Sequence, residues 1–268
     1  MNNKEHQKTL VVNEKISTVI LLFLLLLRLV DQYLPVWIFG VDVPNWYGYW
    51  YVGIAYILTV AIVGLNRHRL ALLNIDRPFV IALMIGGFLY LFYLPLDMGL
   101  PVVTAAGFVL WAYQQNHFLL KNTIEYPSGT LPLILISVFL ALLPIVLFNP
   151  IIKEPINLQL ILASVKSTFQ EQLALIAFEE VIFRGALWAY LRQLGLKEPT
   201  IFFTQAFLFW IAHSRFILIE HQAYSFWVAT PLISLLLGFI AWRAKSLTPS
   251  TIVHFLFNST IGVILRSV

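Results

Sequence analysis

Six charged or polar side chains interrupt three long apolar stretches of this sequence: Glu179, Glu180 and Arg184, then His213, then His254 and Asn258. Charged side chains inside membrane-spanning helices are costly and usually face the bundle interior or an aqueous cavity. A carboxylate and a histidine can hold and deprotonate a water molecule. A second histidine and an asparagine amide can donate hydrogen bonds to a developing oxyanion. The set therefore has the parts needed to hydrolyse an amide bond without a serine or cysteine nucleophile.

The same side chains leave a metal-bound alternative open. Glu179, His213 and His254 could hold a catalytic zinc ion with one open position for water. The sequence lacks His-Glu-x-x-His, the common helical zinc signature. We prefer the metal-free interpretation, in which no cofactor is required, but both mechanisms use the same residues and the sequence alone does not separate them.

The composition is that of a protein embedded in a membrane. Of the 268 residues, 60% are hydrophobic and 11% are charged, against about 45–50% and about 25% in soluble domains. The chain has no cysteine, which excludes disulfides, Cys-ligated zinc and iron–sulfur clusters. The net charge of +4 is spread over short loops without a basic stripe, so we expect no nucleic-acid partner.

The apolar runs predict an all-α, polytopic transmembrane helical bundle of about nine spans. The expected spans are at about 16–34, 46–65, 78–95, 101–119, 131–148, 168–192, 199–216, 225–243 and 247–265. With the N-terminus inside the cell, eleven of the seventeen Lys and Arg residues fall on the cytoplasmic side and four on the outer side, as the positive-inside rule requires. Residues 1–15 are expected to form a polar tail, and 149–167 an amphipathic surface helix.

Helical geometry brings the motif residues to a common depth. At 1.5 Å per residue, Glu179, His213 and Asn258 each lie roughly 20 Å from the inner end of their span, and His254 roughly 14 Å. Glu180 and Arg184 are four residues apart and can pair on one helix face. Glu179 is turned about 100° away, towards the bundle centre. Arg28 is expected to form a local salt bridge with Asp31 or to snorkel towards the membrane surface.

The three motifs together resemble the CPBP family of CAAX proteases and bacteriocin-processing enzymes, also called the Abi family. They are Glu-Glu-x-x-x-Arg at 179–184, Phe-x-x-x-His at 209–213 and His-x-x-x-Asn at 254–258. The matching core covers roughly residues 165–265, and the first 150 residues carry no recognisable motif. The resemblance implies an all-helical intramembrane endopeptidase of the glutamate type.

The resemblance also implies a role for each motif residue. Glu179 would activate the water with His213 as its partner, while His254 and Asn258 would stabilise the oxyanion. Glu180 and Arg184 would brace the site as an ion pair, and Phe209 would pack against it. We accordingly expect a cytoplasmic tail at 1–15, transmembrane helices without a motif at 16–150, and a catalytic core at 151–268.

The expected substrate is a hydrophobic or membrane-associated peptide or protein, cut during peptide maturation or bacteriocin self-immunity. Short loops and the absence of cysteine favour the plasma membrane of a bacterium, where lipid is the other partner; the sequence predicts no oligomeric state. The alternative is a non-catalytic immunity or scaffold protein that binds a peptide or partner. A transporter with a proton relay is a weaker interpretation, because the sequence shows no paired repeat halves.

Overall fold

The computed structural model describes residues 3–31, 33–39, 45–91, 130–148, 155–218 and 222–267. Throughout these ranges the regular structure is helical, with no strand, which confirms the predicted all-α class. The N-terminal helices are α1 (Asn3–Val30), the short α2 (Leu34–Phe39), α3 (Asn45–Leu65), a 3-10 helix (Arg67–Leu73) and α4 (Arg77–Leu91). The later helices are α5 (Thr130–Phe148), α6 (158–193), α7 (Glu198–Ile211), α8 (Ser225–Ala244) and α9 (Leu247–Ser267).

Most predicted spans coincide with a helix, but the first helix begins earlier than its predicted span; the cytoplasmic tail at 1–15 stays a prediction. Helix α1 begins at Asn3 rather than near residue 16. The Lys, Glu and Gln residues of the tail favour helix, so the helix starts before the apolar run begins. The predicted span at 101–119 and residues 92–95 of another lie outside the described residues, as does 149–154 of the expected amphipathic segment. The count of nine spans and the inside N-terminus stay predictions.

Three helical segments of the described chain are long and apolar enough to cross a membrane: Glu198–Leu218, Ser225–Ala244 and Leu247–Ile264. Their outer faces carry large apolar side chains, such as Phe203 at 62% and Leu232 at 62% exposure. A soluble protein rarely exposes contiguous apolar surface of this kind, whereas lipid solvates it. These features indicate a membrane protein.

Helix α6 is the longest continuous helix among the described residues that follow residue 150, and it is not a regular α-helix. It starts with Leu158–Ser167, where the side chain of Asn157 caps the backbone N–H of Leu160. Two π-helical segments follow, Thr168–Gln172 and Glu180–Ala186, separated by one α-helical segment. A π segment widens the turn by one residue and is often found at functional sites. The amphipathic segment expected before the span is therefore continuous with it.

The other helices pack around α6. Helices α3 and α4 lie against its middle, α7 follows its end, and α9 contacts α5, α6 and α8. Close approach between α4 and α6 requires Gly86, because a Cβ there would lie 3.0 Å from the backbone nitrogen of Ala174. Small residues serve the same purpose in other membrane helix pairs. Packing thus places α6 at the centre of the bundle.

Asp76 joins the N-terminal helices to the start of α9. Its carboxylate accepts hydrogen bonds from the hydroxyls of Ser246 and Thr248, each at 2.5 Å, and from the backbone N–H of Phe79 at 3.3 Å. The backbone N–H of Leu247 donates to Asn74 beside it at 2.8 Å. Asp76 is buried, so these bonds cap α4 and fix the turn between α8 and α9.

We predict that Asp76→Ala lowers the free energy of unfolding by about 2–4 kcal/mol, because it leaves the buried hydroxyl of Ser246 and the half-buried hydroxyl of Thr248 without their acceptor. The measurement is thermal unfolding of purified protein in detergent. The exposed carboxylate of Glu171 provides the matched control, and Glu171→Ala should change stability by less than about 0.5 kcal/mol. Equal effects of the two substitutions would show that the Asp76 contacts contribute nothing to stability.

Candidate active site

Three of the predicted catalytic side chains meet beside the middle of α6. Glu179 Oε1 lies 3.8 Å from Nε2 of His213, and Glu179 Oε2 lies 3.7 Å from Nε2 of His254. Glu179 and His254 are each 4% exposed at the side chain, and His213 is 15% exposed. The carboxylate is thus enclosed between one histidine from the end of α7 and one from α9.

Glu180 orients the second histidine. Its Oε1 lies 2.9 Å from Nδ1 of His254 and 3.3 Å from Nη1 of Arg184. Both Glu180 and Arg184 have no solvent exposure, and the predicted pair is therefore present inside the π segment. With Nδ1 of His254 bound to Glu180, its Nε2 faces Glu179.

His213 is fixed by the backbone of its own chain segment. Helix α7 ends at Ile211, and His213 lies in the turn that follows. Its Nδ1 lies 2.8 Å from the backbone carbonyl of Phe209, a contact in which Nδ1–H must be the donor, since a carbonyl oxygen only accepts. Neutral His213 therefore presents the lone pair of Nε2 to Glu179.

The ring of Phe209 fills the space under the polar cluster. Its centroid lies 4.4 Å from that of His213 and 5.9 Å from that of His254. The guanidinium carbon of Arg184 lies 4.1 Å from the same ring, in a cation–π contact. Phe209 is buried, and its contacts agree with a packing role.

Asn258 lies one turn beyond His254 on α9, and its amide hydrogen bond goes to a residue that the sequence did not single out. Its Nδ2 donates to Oε1 of Gln172 at 3.1 Å. Gln172 ends the first π segment of α6 and stands seven residues, about two turns, before Glu179. An amide nitrogen carries two hydrogens, so this bond fixes the Asn258 side chain and leaves it a second donor.

Arg28 differs most from its sequence-based expectation. The local contact with Asp31 exists at 3.7 Å, but the guanidinium does not snorkel. Arg28 is 7% exposed, and its Nη2 donates to Glu179 Oε1 at 2.7 Å. The same Nη2 lies 3.3 Å from Nε2 of His213. The expected local pair is therefore a secondary contact, and the last turn of α1 enters the site.

The sequence contained a signal for Arg28 but almost none for Gln172, the partner of Asn258. A cation inside an apolar span usually faces the protein interior, which applies to Arg28. Asp31, three residues later, offered a local ion-pair partner, so nothing in the sequence indicated a distant partner for Arg28. Gln172 gave only the two-turn spacing to Glu179, which many residues share.

The geometry does not fit the zinc alternative. Zinc requires its nitrogen and oxygen ligands at about 2.0–2.2 Å from one point, and Glu179, His213 and His254 would have to converge on that point. Arg28 Nη2 instead lies between Glu179 and His213 as a cation. No group of three or more His, Cys, Asp or Glu side chains in the described ranges is arranged to hold a metal ion.

Part of the chain matches a known protein family. Residues 135–260 match the family model described as Rce1-like, type II CAAX prenyl endopeptidase, which confirms the resemblance to the CPBP family. The matched region includes all seven motif residues and indicates a hydrolase of the CAAX-protease type in a membrane. No curated protein and no solved structure gives a significant match to this chain.

We predict that Arg184→Met destabilises the protein by about 3–5 kcal/mol, because Glu180 is then a buried charge without its arginine. Adding Glu180→Gln to Arg184→Met should recover part of this loss, since the double variant buries no unpaired charge there. Thermal unfolding in detergent of the two single variants and the double variant measures the effect. Strictly additive losses would contradict the pairing of Glu180 with Arg184.

Proposed function

We propose that this protein is an intramembrane endopeptidase that cuts a hydrophobic or membrane-associated peptide or protein by means of an activated water molecule. The observation that carries the proposal is the enclosure of Glu179 between His213 and His254, within 3.8 Å and 3.7 Å of their Nε2 atoms. The family of residues 135–260 supports the same reaction class.

In the proposed reaction Glu179 is the general base. Its carboxylate takes a proton from water, and His213 accepts a hydrogen bond from the same water through its Nε2 lone pair. The hydroxide equivalent forms a C–O bond to the scissile carbonyl carbon. The C–N bond then breaks, and the proton held by Glu179 passes to the leaving amine.

The negative charge that develops on the carbonyl oxygen needs hydrogen-bond donors. His254 and Asn258 are proposed as those donors. His254 would donate from Nε2–H in its doubly protonated form, because its Nδ1–H is held by Glu180 and a neutral ring has only one N–H, and Asn258 would donate the amide hydrogen that does not go to Gln172. Both side chains are held before substrate arrives, one by Glu180 and the other by Gln172. Donors fixed in advance stabilise a developing oxyanion without reorganisation.

The enclosing bundle favours a lipid-associated substrate. Exposed apolar side chains on α7 and α8 would lie in the hydrocarbon region of the membrane. A peptide that partitions into the membrane would then approach the bundle from the lipid.

We propose the plasma membrane of a bacterium as the location of the protein, and peptide maturation or bacteriocin self-immunity as its role. In the competing function, a scaffold, the same cluster would bind a peptide without cutting it.

We predict that Glu179→Gln lowers the rate of cleavage by about 10²–10⁴-fold. The amide keeps the shape of the side chain but cannot accept a proton from water. The measurement is mass spectrometry of secreted and membrane-associated peptides from host strains with wild type or variant at equal abundance. A precursor should accumulate and its product disappear in the variant strain.

Glu171→Gln, which alters an exposed carboxylate, is the matched control and should give the wild-type peptide profile. If Glu179→Gln also leaves the profile unchanged and restores the phenotype of a deletion strain, the protein acts by binding and the peptidase proposal is wrong.

We further predict that activity survives removal of divalent metal ions. Purified protein would be treated with a chelator, desalted and assayed with the precursor peptide found in the host comparison. Rates within about two-fold of the untreated enzyme are expected, because the base and its partners are protein side chains. Loss of activity that zinc restores would favour the metal-bound mechanism.

A further inference from the structure

The residue that most directly contacts the candidate base lies outside the family-matched region. Arg28, in the last turn of α1, is 151 residues away from Glu179 in sequence and 2.7 Å away in space. The family match begins at residue 135. The motifs of the catalytic half therefore do not include the cation that neutralises Glu179.

Each of the two adjacent carboxylates at the site has its own cationic partner. Glu180 is paired with Arg184 and His254 on one side of α6. Glu179 is paired with Arg28, although its Oε2 also lies 3.7 Å from Nε2 of His254. A buried carboxylate without such a partner is unfavourable by several kcal/mol, so Arg28 is needed for Glu179 to remain a charged base inside the bundle.

Arg28 also controls the direction of that carboxylate. Its Nη2 holds Oε1 of Glu179, which leaves Oε2 facing Nε2 of His254 at 3.7 Å. Because the same Nη2 lies 3.3 Å from Nε2 of His213, one guanidinium nitrogen sets the relative position of two side chains from different helices.

Two further contacts hold Arg28 and the His213 turn in place. Nη1 of Arg28 lies 3.7 Å from Asp31, whereas Nη2 contacts Glu179. The two terminal nitrogens of the guanidinium therefore contact different carboxylates. The hydroxyl of Tyr33, just after α1, lies 2.6 Å from that of Ser214, next to His213 in the same turn. A lysine has one compact ammonium group and could not serve both ends.

We propose that Arg28 is a positioning residue of the peptidase site, which holds Glu179 and His213 through one guanidinium nitrogen and leaves Oε2 of Glu179 to act on water. The proposal rests on the proposed function. It makes the N-terminal helices part of the active site, and residues 135–260 incomplete without them.

The first test is kinetic and uses the full chain in detergent or nanodiscs. The probe is an internally quenched copy of the precursor peptide that accumulates with Glu179→Gln. For Arg28→Ala and Arg28→Lys we expect kcat to fall about 100-fold, in the range of a misplaced catalytic group, with KM changed by less than about three-fold. Arg192→Ala, which removes an exposed arginine paired with Glu198, is the matched control and should keep wild-type kcat.

Chemical rescue separates positioning from simple packing. Added guanidinium ion should raise the kcat of Arg28→Ala at least about ten-fold, because it restores the charge and the donors to the space left by the side chain. Urea has nearly the same shape without the charge and should not rescue. Wild-type kcat in Arg28→Ala, or equal rescue by urea, would overturn the proposal.

A second measurement keeps the contact testable if Arg28→Ala is poorly folded. The melting temperatures of Arg28→Met, Glu179→Gln and the double variant should be non-additive, with the double variant more stable than Arg28→Met alone. Additive shifts would overturn the contact while leaving the peptidase function intact. An inactive wild type with non-additive shifts would instead overturn the proposed function, and with it any role for Arg28 in the reaction.

Discussion

Two adjacent carboxylates in an apolar bundle impose the constraint on which the site depends. Both Glu179 and Glu180 are buried away from bulk solvent, so each needs a cation and hydrogen-bond donors within the protein. Successive helical residues point about 90–100° apart, and the chain uses that divergence. Glu179 turns to Arg28 and Glu180 to Arg184, at 2.7 Å and 3.3 Å. His254 contacts Glu180 and also faces Glu179, while His213 faces Glu179 from the turn after α7.

This division of partners determines which helices must meet. Arg28 brings α1 to α6, His213 brings the turn after α7, and His254 brings α9. The π segment that begins at Glu180 widens the helix where these contacts converge, and π segments commonly occur where a helix serves a functional site. A regular α-helix would rotate Arg184 differently relative to Glu179, so the π segment contributes to the placement of the paired side chains.

The sequence predicted the local part of this arrangement well and the long-range part poorly. The helical class, the Glu180–Arg184 pair and the shared depth of Glu179, His213 and His254 follow from periodicity and spacing, which a single chain displays directly. The Arg28 contact does not follow, because it depends on which side α1 packs against, and Asp31 offered a nearer partner. Gln172 and the π segments were missed for the same reason: both depend on how α6 fits against α9 rather than on any pattern within α6.

The boundary of the recognisable family region and the boundary of the physical site are consequently different. The match to residues 135–260 contains the groups that would carry out chemistry, yet the charge balance of Glu179 is completed from residue 28. Asp76 and Tyr33 link the two regions again, at the start of α9 and at the His213 turn. Because separating the helices would break these buried polar contacts together, the N-terminal helices and the helices that carry the three motifs should unfold as one cooperative unit around the site. A function carried by side chains of the second half can thus depend on the packing of the first.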